Sequence, residues 1–314
     1  MSPLLLIAFT LVVALVAAPR LAGASWVVRA PRLALTAWLV GSCAVVAASL
    51  LTGLNLLLYW DRTHDLVSGA WHFCLDSLLG RHDAPAQVAA IIGLVTVAAL
   101  CYRMGLGVTR MVAVQRARRA DLRMLVRLAG IPSPVPGATV VRHDQPAAYL
   151  MPGRATDIVI TSGAVDQLRA PELHAVLAHE RAHASGRHYH LTHWVRFLEQ
   201  AFPGVACFTL ARRQVERLVE LCADDTAARS AERIDLARAL VTMAQPVGAS
   251  GGLLAVSGGD SLERLHRLLA PPRPLATAAK ACVAAGVAAV AVAPLAMAMF
   301  DRCCGSWVPA ALSL

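Results

Sequence analysis

The chain has 314 residues, 57% of them apolar and 16% charged, with a mean hydropathy of +0.57. Soluble domains sit nearer roughly 45–50% apolar and about 25% charged, so neither a disordered chain nor a fully soluble single domain fits. The net charge of +9 is almost all arginine, and the gathering of charge and histidine in mid-sequence excludes a bare membrane bundle in favour of several spans plus one water-facing domain.

Four apolar stretches approach the length of about 20 helical residues that crosses a bilayer core. They predict spans at about 3–18, 33–58, 85–102 and 281–300, the second ending at Tyr59–Trp60 and the fourth carrying Pro294, a residue that kinks helices. The Ala, Gly and Val content of the fourth suits close helix packing. The first stretch lacks the basic n-region of a secretory signal, since no Arg or Lys precedes it, and reads as an uncleaved span. Arginine bias then sets orientation. The first loop holds Arg20, Arg29 and Arg32, and a run from Arg103 to Arg127 follows the third span, whereas the second loop carries Asp61, Asp65, Asp76 and Asp83. The bias predicts a multi-pass cell-membrane protein with its N-terminus outside. The first loop and the region after Tyr102 lie in the cytoplasm, and the tail from Asp301 lies outside. The arginine run reads as a helix leaving the membrane along anionic headgroups; direct nucleic-acid binding is not expected.

The organisation is therefore three spans in 1–102, one cytoplasmic domain in 103–274, and a fourth span with a short tail in 275–314. Within the domain, Thr139–Val141, Ala147–Leu150 and Asp157–Thr161 read as short strands between turn residues. Pro171 suits a helix start and Gly186 its end. Further helices are expected at His188–Ala201, Val205–Arg229 and Ile234–Ala244, and Gly248 to Gly259 reads as a Gly/Ser-rich loop.

The sharpest motif is His179-Glu180-Arg181-Ala182-His183. Residues four apart share a helix face, so both imidazoles reach one metal ion. Glu180 sits about 100° round the helix from His179, placed to hold a metal-bound water as general base. Two neutral imidazoles need a third, anionic ligand and an open position for water. Glu216, Glu220 and Asp224 share one face of the Val205–Arg229 helix. Glu220 with Asp224 fits better: Glu220 as ligand, Asp224 accepting from the outer nitrogen of a ligand histidine. The plainer reading of that face is a solvated acidic stripe paired with Arg212, Arg213 and Arg217. His188, His190 and His193 are expected to line the cleft or steady an oxyanion, and His174, off the ligand face, to be a surface or satisfied core histidine.

These residues resemble the BlaR/MecR-type membrane metallopeptidases, the antirepressor proteases of metallopeptidase family 56. The likeness covers about Pro146 to Leu269. It is carried by Pro146-Ala147-Ala148-Tyr149, Ala175-Val176-Leu177-Ala178-His179-Glu180-Arg181-Ala182-His183, Glu220-Leu221-Cys222-Ala223-Asp224 and Arg264-Leu265-His266-Arg267-Leu268-Leu269. It implies a mainly α membrane protein with a cytoplasmic α+β, gluzincin-like zinc peptidase domain inserted between helices three and four. One Zn2+ per chain would be held by His179, His183 and Glu220, with Glu180 as catalytic base. Ala147, Ala148, Tyr149 and Leu150 would form the edge strand that receives substrate. It implies a protein or peptide substrate, in that family's biology a cytoplasmic transcriptional repressor. The β-lactam sensors of this type carry an extracellular penicillin-binding domain after the last span. Here Asp301 to Leu314 follows, and direct covalent sensing of a β-lactam is not expected.

Two other readings stay open: a membrane-protein quality-control protease of HtpX-like type, and a non-catalytic signalling or scaffold protein. In the scaffold, a fourth protein ligand such as His188 or His190 would close the metal site. Cys74 in the outer loop and Cys303–Cys304 beyond the last span face an oxidising side on this orientation. Free thiols and a Cys74 bridge are both compatible with the sequence.

Overall fold

The computed structural model describes residues 2–58, 84–131, 135–150, 158–244, 259–271 and 273–304. The chain opens with α1 (Ser2–Val12), a π-helical turn (Val13–Ala17) and α2 (Ala18–Ala22), which together make one apolar run, Pro3–Ala22. After a 3-10 turn at Val27–Arg29 come α3 (Pro31–Leu58) and α4 (Ala84–Ala129). The last helix, α11 (Thr277–Cys304), contains Pro294 and packs on α1 and α3. Among the described residues four helices are long and apolar enough to cross a membrane, the others being Pro31–Leu57, Gln87–Ala117 and Thr277–Met299.

The apolar part of α4 runs well past Tyr102, because Met111 to Val114 keep the mean apolar between the first arginines. At 46 residues α4 is roughly 69 Å long, so span and arginine-rich extension are one continuous rod. Close helix approach also falls elsewhere than expected. A Cβ on Gly93 of α4 would lie 2.6 Å from the Gly53 carbonyl oxygen of α3, whereas Gly286 in α11 has open space around it. The second and third spans are the pair that use small residues to bring backbones together.

The sheet holds β1 (Gly130–Ile131), β2 (Ala138–Val141), β3 (Ala148–Leu150) and β4 (Ile158–Thr161) in the order β1-β2-β4-β3. β2 and β4 are parallel, and β3 runs antiparallel to β4 with Tyr149 opposite Val159. β3 is thus an edge strand. β4 is the apolar centre, Ile158, Val159 and Ile160 being nearly inaccessible. A short helix, α5 (Ser162–Gln167), is capped by Thr161, whose hydroxyl accepts from the Ala164 N–H.

Five helices follow: α6 (Ala170–Ser185), α7 (His188–Ala201), α8 (Ala206–Ala227), α9 (Arg233–Met243) and α10 (Gly259–Leu269). α6 starts where Pro171 suits the first turn and where the Glu172 carboxylate accepts from the Arg169 backbone N–H at 3.0 Å. Its Val176 and Leu177 pack on the sheet, while Ala175 and Ala178 let α9 approach closely. The largest core cluster does not respect the boundary at residue 103. Ala34, Leu35 and Trp38 of α3 pack with Val215, Leu218 and Val219 of α8. Residues 248–258 of the expected Gly248–Gly259 loop and Cys74 lie outside the described residues, as do the side chains of Cys303 and Cys304, while Gly259 opens α10.

Candidate metal centre

α6 and α8 pack side by side and supply the site. Small residues make this possible: Ala175, Ala178 and Ala182 of α6 and Ala223 of α8 are all buried. Into the seam project His179 and His183 from α6 and Glu220 from α8. The two Nε2 atoms lie 3.0 Å apart. Glu220 Oε2 is 3.4 Å from His179 Nε2, and Oε1 is 3.4 Å from His183 Nε2. These three are the one cluster of metal-type donors among the described residues.

The donor set fits zinc. Bonds of about 2.0–2.1 Å in a tetrahedron put neighbouring donor atoms roughly 3.3 Å apart, close to the separations found. Two neutral nitrogens and one carboxylate are the ligand chemistry of a hydrolytic site, with one tetrahedral position left for water. The alternative acid, Glu216, is engaged elsewhere: Arg196 Nε donates to it at 2.6 Å and Arg212 Nη1 at 2.8 Å.

Behind His179 stands a buried ionic relay. Asp224 Oδ1 is 3.0 Å from His179 Nδ1. Asp224 is 2% exposed and is gripped by Arg264 of α10, whose Nε and Nη2 each donate at 2.8 Å. Arg264 Nη1 also lies 3.0 Å from Glu220 Oε2. Burial pushes the Asp224 carboxyl up, but Arg264 and then His179 outweigh it and hold it below the usual carboxylate range. Burial pushes His179 down, yet Asp224 and Glu220 lift it to about 9. Burial likewise opposes ionisation of Glu220, and the two histidines and Arg264 overcome it, so this carboxylate is strongly favoured as an anion.

Glu180 follows His179 and is half-buried. Burial raises its carboxyl above the ordinary value against the pull of His179 and His183, the direction a general base near neutral pH needs.

The other histidines fall into two groups. His188 is buried, and its Nδ1 sits 3.0 Å from His183 Nδ1, on the side away from the paired Nε2 atoms. It therefore sits behind His183, a candidate ligand, where the expectation was a cleft-lining or oxyanion residue or a closing fourth ligand. His190 is exposed and packs edge-on against Tyr189. His193 stacks on Tyr189, with Nδ1 2.7 Å from its carbonyl oxygen. His174 is exposed, a surface histidine. β3 packs against α6, so Ala148, Tyr149 and Leu150 border the histidine helix. Ala147 precedes the strand and accepts from the Thr161 N–H at 3.0 Å. The residue that sequence reasoning gave no role is Arg264. Its signal was an arginine on an amphipathic helix between Leu262 and Leu265, but only the fold reveals its partner 40 positions away.

Comparison with known proteins gives one match. The family model for peptidase family M48 covers residues 113–272, about half of the chain. It supports a metallopeptidase domain and does not single out the BlaR/MecR type of family 56. No curated protein and no solved structure matches the chain.

Proposed function

The chain belongs to peptidase family M48, and from that premise we propose that it is a membrane-embedded zinc endopeptidase acting on extended segments of protein substrates. The observation that carries this reading is the convergence of His179, His183 and Glu220 beside the half-buried Glu180. One Zn2+ would be held by those three side chains. Zinc, when bound, polarises a scissile carbonyl and makes a coordinated water more acidic. Glu180 takes the water's proton and delivers it to the leaving amine. Asp224 and Arg264 fix the ring of His179 so that its Nε2 stays aimed at the ion. Substrate backbone pairs with the free edge of β3, opposite β4, which reads main chain and tolerates varied side chains.

The arginine bias supports a cytoplasmic site, with the N-terminus and the tail from Asp301 outside. Reporter fusions after Asp144 and Ser77 should then read cytoplasmic and external; the reverse inverts this orientation. A soluble repressor and a damaged membrane protein both present extended segments to such a site. Comparing protein N-termini between cells carrying the native chain and Glu180→Ala tells which is cut.

Full-length protein in detergent tests the chemistry. It should bind one zinc and cleave an unfolded protein such as casein, His183→Ala should lose the metal, and Glu180→Gln should keep it without cleaving. Stoichiometric zinc in His183→Ala would sink the ligand assignment. Cleavage by Glu180→Gln at the native rate would remove the base.

A further inference from the structure

A histidine that binds a metal through Nε2 carries its remaining proton on Nδ1, and something must accept it. For His179 the group facing Nδ1 is the Asp224 carboxylate, at 3.0 Å. For His183 the group at Nδ1 is His188, with 3.0 Å between the two Nδ1 atoms. We propose that His188 is the positioning residue of His183, accepting its Nδ1 proton through an unprotonated Nδ1, and that Gly186 is glycine to leave room for the His188 ring. This rests on the zinc reading above and adds to it a second, uncharged support for the metal.

The turn between α6 and α7 supplies the independent observation. Glycine at a helix end ordinarily serves the left-handed conformation. Here Gly186 has φ −76° and ψ −5°, which any residue adopts, and the left-handed position falls on Arg187, at φ 51°. The backbone has put its strain on a non-glycine and left the glycine in an undemanding place. Space explains it. A Cβ at 186 would come 2.3 Å from His188 Nε2 and 2.6 Å from its Cδ2. The turn thus folds the first residue of α7 back over the last turn of α6, bringing the imidazole edge-on to His183 with ring centroids 4.9 Å apart. His188 is 6% exposed, so water does not replace it as the acceptor.

The acceptor role fixes a tautomer. With the His183 proton on Nδ1, the His188 proton must sit on Nε2, on the Gly186 side. An asparagine at 188 offers its carbonyl oxygen near the position of Nδ1 and should serve in its place. An alanine offers nothing.

The test is zinc affinity of the full-length protein in detergent, measured by competition with a chromophoric chelator. His188→Ala should bind zinc about 10–100-fold more weakly. Gly186→Ala should weaken it similarly, because the new methyl displaces the ring while both imidazoles remain. His188→Asn should stay within a few-fold of the native chain. Native-like affinity in both His188→Ala and Gly186→Ala overturns the inference and leaves the peptidase reading standing. His188→Asn as weak as His188→Ala removes the acceptor role. If the native protein binds no zinc, both fail together. If His188→Ala does not fold, Gly186→Ala and His188→Asn decide between the same outcomes.

Discussion

The spans and the peptidase domain handle polar groups in opposite ways. Along the spans, large apolar side chains such as Leu15, Ile91, Val95 and Leu295 face outward. Hydroxyls satisfy themselves within their own helix, as Ser42, Ser49 and Thr52 do by donating to carbonyls one turn back. In the domain two buried charged groups reach across helices: Asp224 pairs with Arg264, and Arg267 pairs with Asp225 through two 2.7 Å bonds. Lipid asks only that no polar group be left open. A hydrolytic site asks for fixed charge at fixed distances, and long-range pairing between α8 and α10 provides it.

The contrast can be broken where it is greatest, at the chemistry. Glu180→Gln should cut peptidase activity by about 10²–10⁴-fold with little change in thermal unfolding, since Glu180 serves the reaction and not the fold. A large fall in stability would mean that its carboxylate is part of the structure.

Next comes the relay. Arg264→Ala leaves the Asp224 carboxylate buried without its guanidinium and should cost about 3–5 kcal/mol in denaturant unfolding, with weaker zinc binding besides. A loss under about 1 kcal/mol, the worth of an exposed pair, would erase the distinction drawn above.

Much of this was open to sequence reasoning because it is local. The i, i+4 histidines, the acidic face of α8 and the start of α6 at Pro171 lie within a few turns of chain, and α7 falls at His188–Ala201 as the pattern suggests. What escaped is made by folding. Arg264 and Asp224 are 40 positions apart. Glu220 already fitted better than Glu216 in the sequence; what only the fold adds is that Arg196, from a different helix, engages Glu216. β1 is only two residues long and takes its strand character from pairing Gly130 with Val141. The continuity of α4 beyond Tyr102 was legible as well: the arginine run reads as a helix leaving the membrane, because arginines at a helix surface end the apolar run without ending the helix.

A smaller effect belongs to the N-terminus of α6. The Arg169 guanidinium and backbone N–H beside Glu172 hold its carboxyl below the ordinary value. The folded state therefore binds this proton less readily than the unfolded chain. The stabilisation is complete above the unfolded value of about 4.3 and fades as pH falls through the lower folded one. Glu172→Gln should cost about 1 kcal/mol near neutrality. Unfolding series at pH 7 and below about 3 should show that gap closing on acidification. A gap that widens has the wrong sign.

The smallest effect is on the lipid-facing side. Leu94 is half exposed on α4, and Leu94→Ala should change stability in detergent by less than about 0.5 kcal/mol. A loss comparable to a core substitution would show that this face is covered by protein.

The seam between α3 and α8 has a consequence for how the enzyme is made. Trp38 and Leu35, early in the chain, close the core that Val215 and Leu218 begin, and Arg267 donates to the carbonyl of Val28 at 3.2 Å, across 239 positions. During synthesis the first spans emerge and insert long before Arg267 leaves the ribosome. The last contacts of the domain therefore wait for partners already placed in the bilayer, and contacts so distant in sequence form slowly. The wall on which the domain finishes its core is thus supplied by α3, and the domain severed from the first spans would lack it.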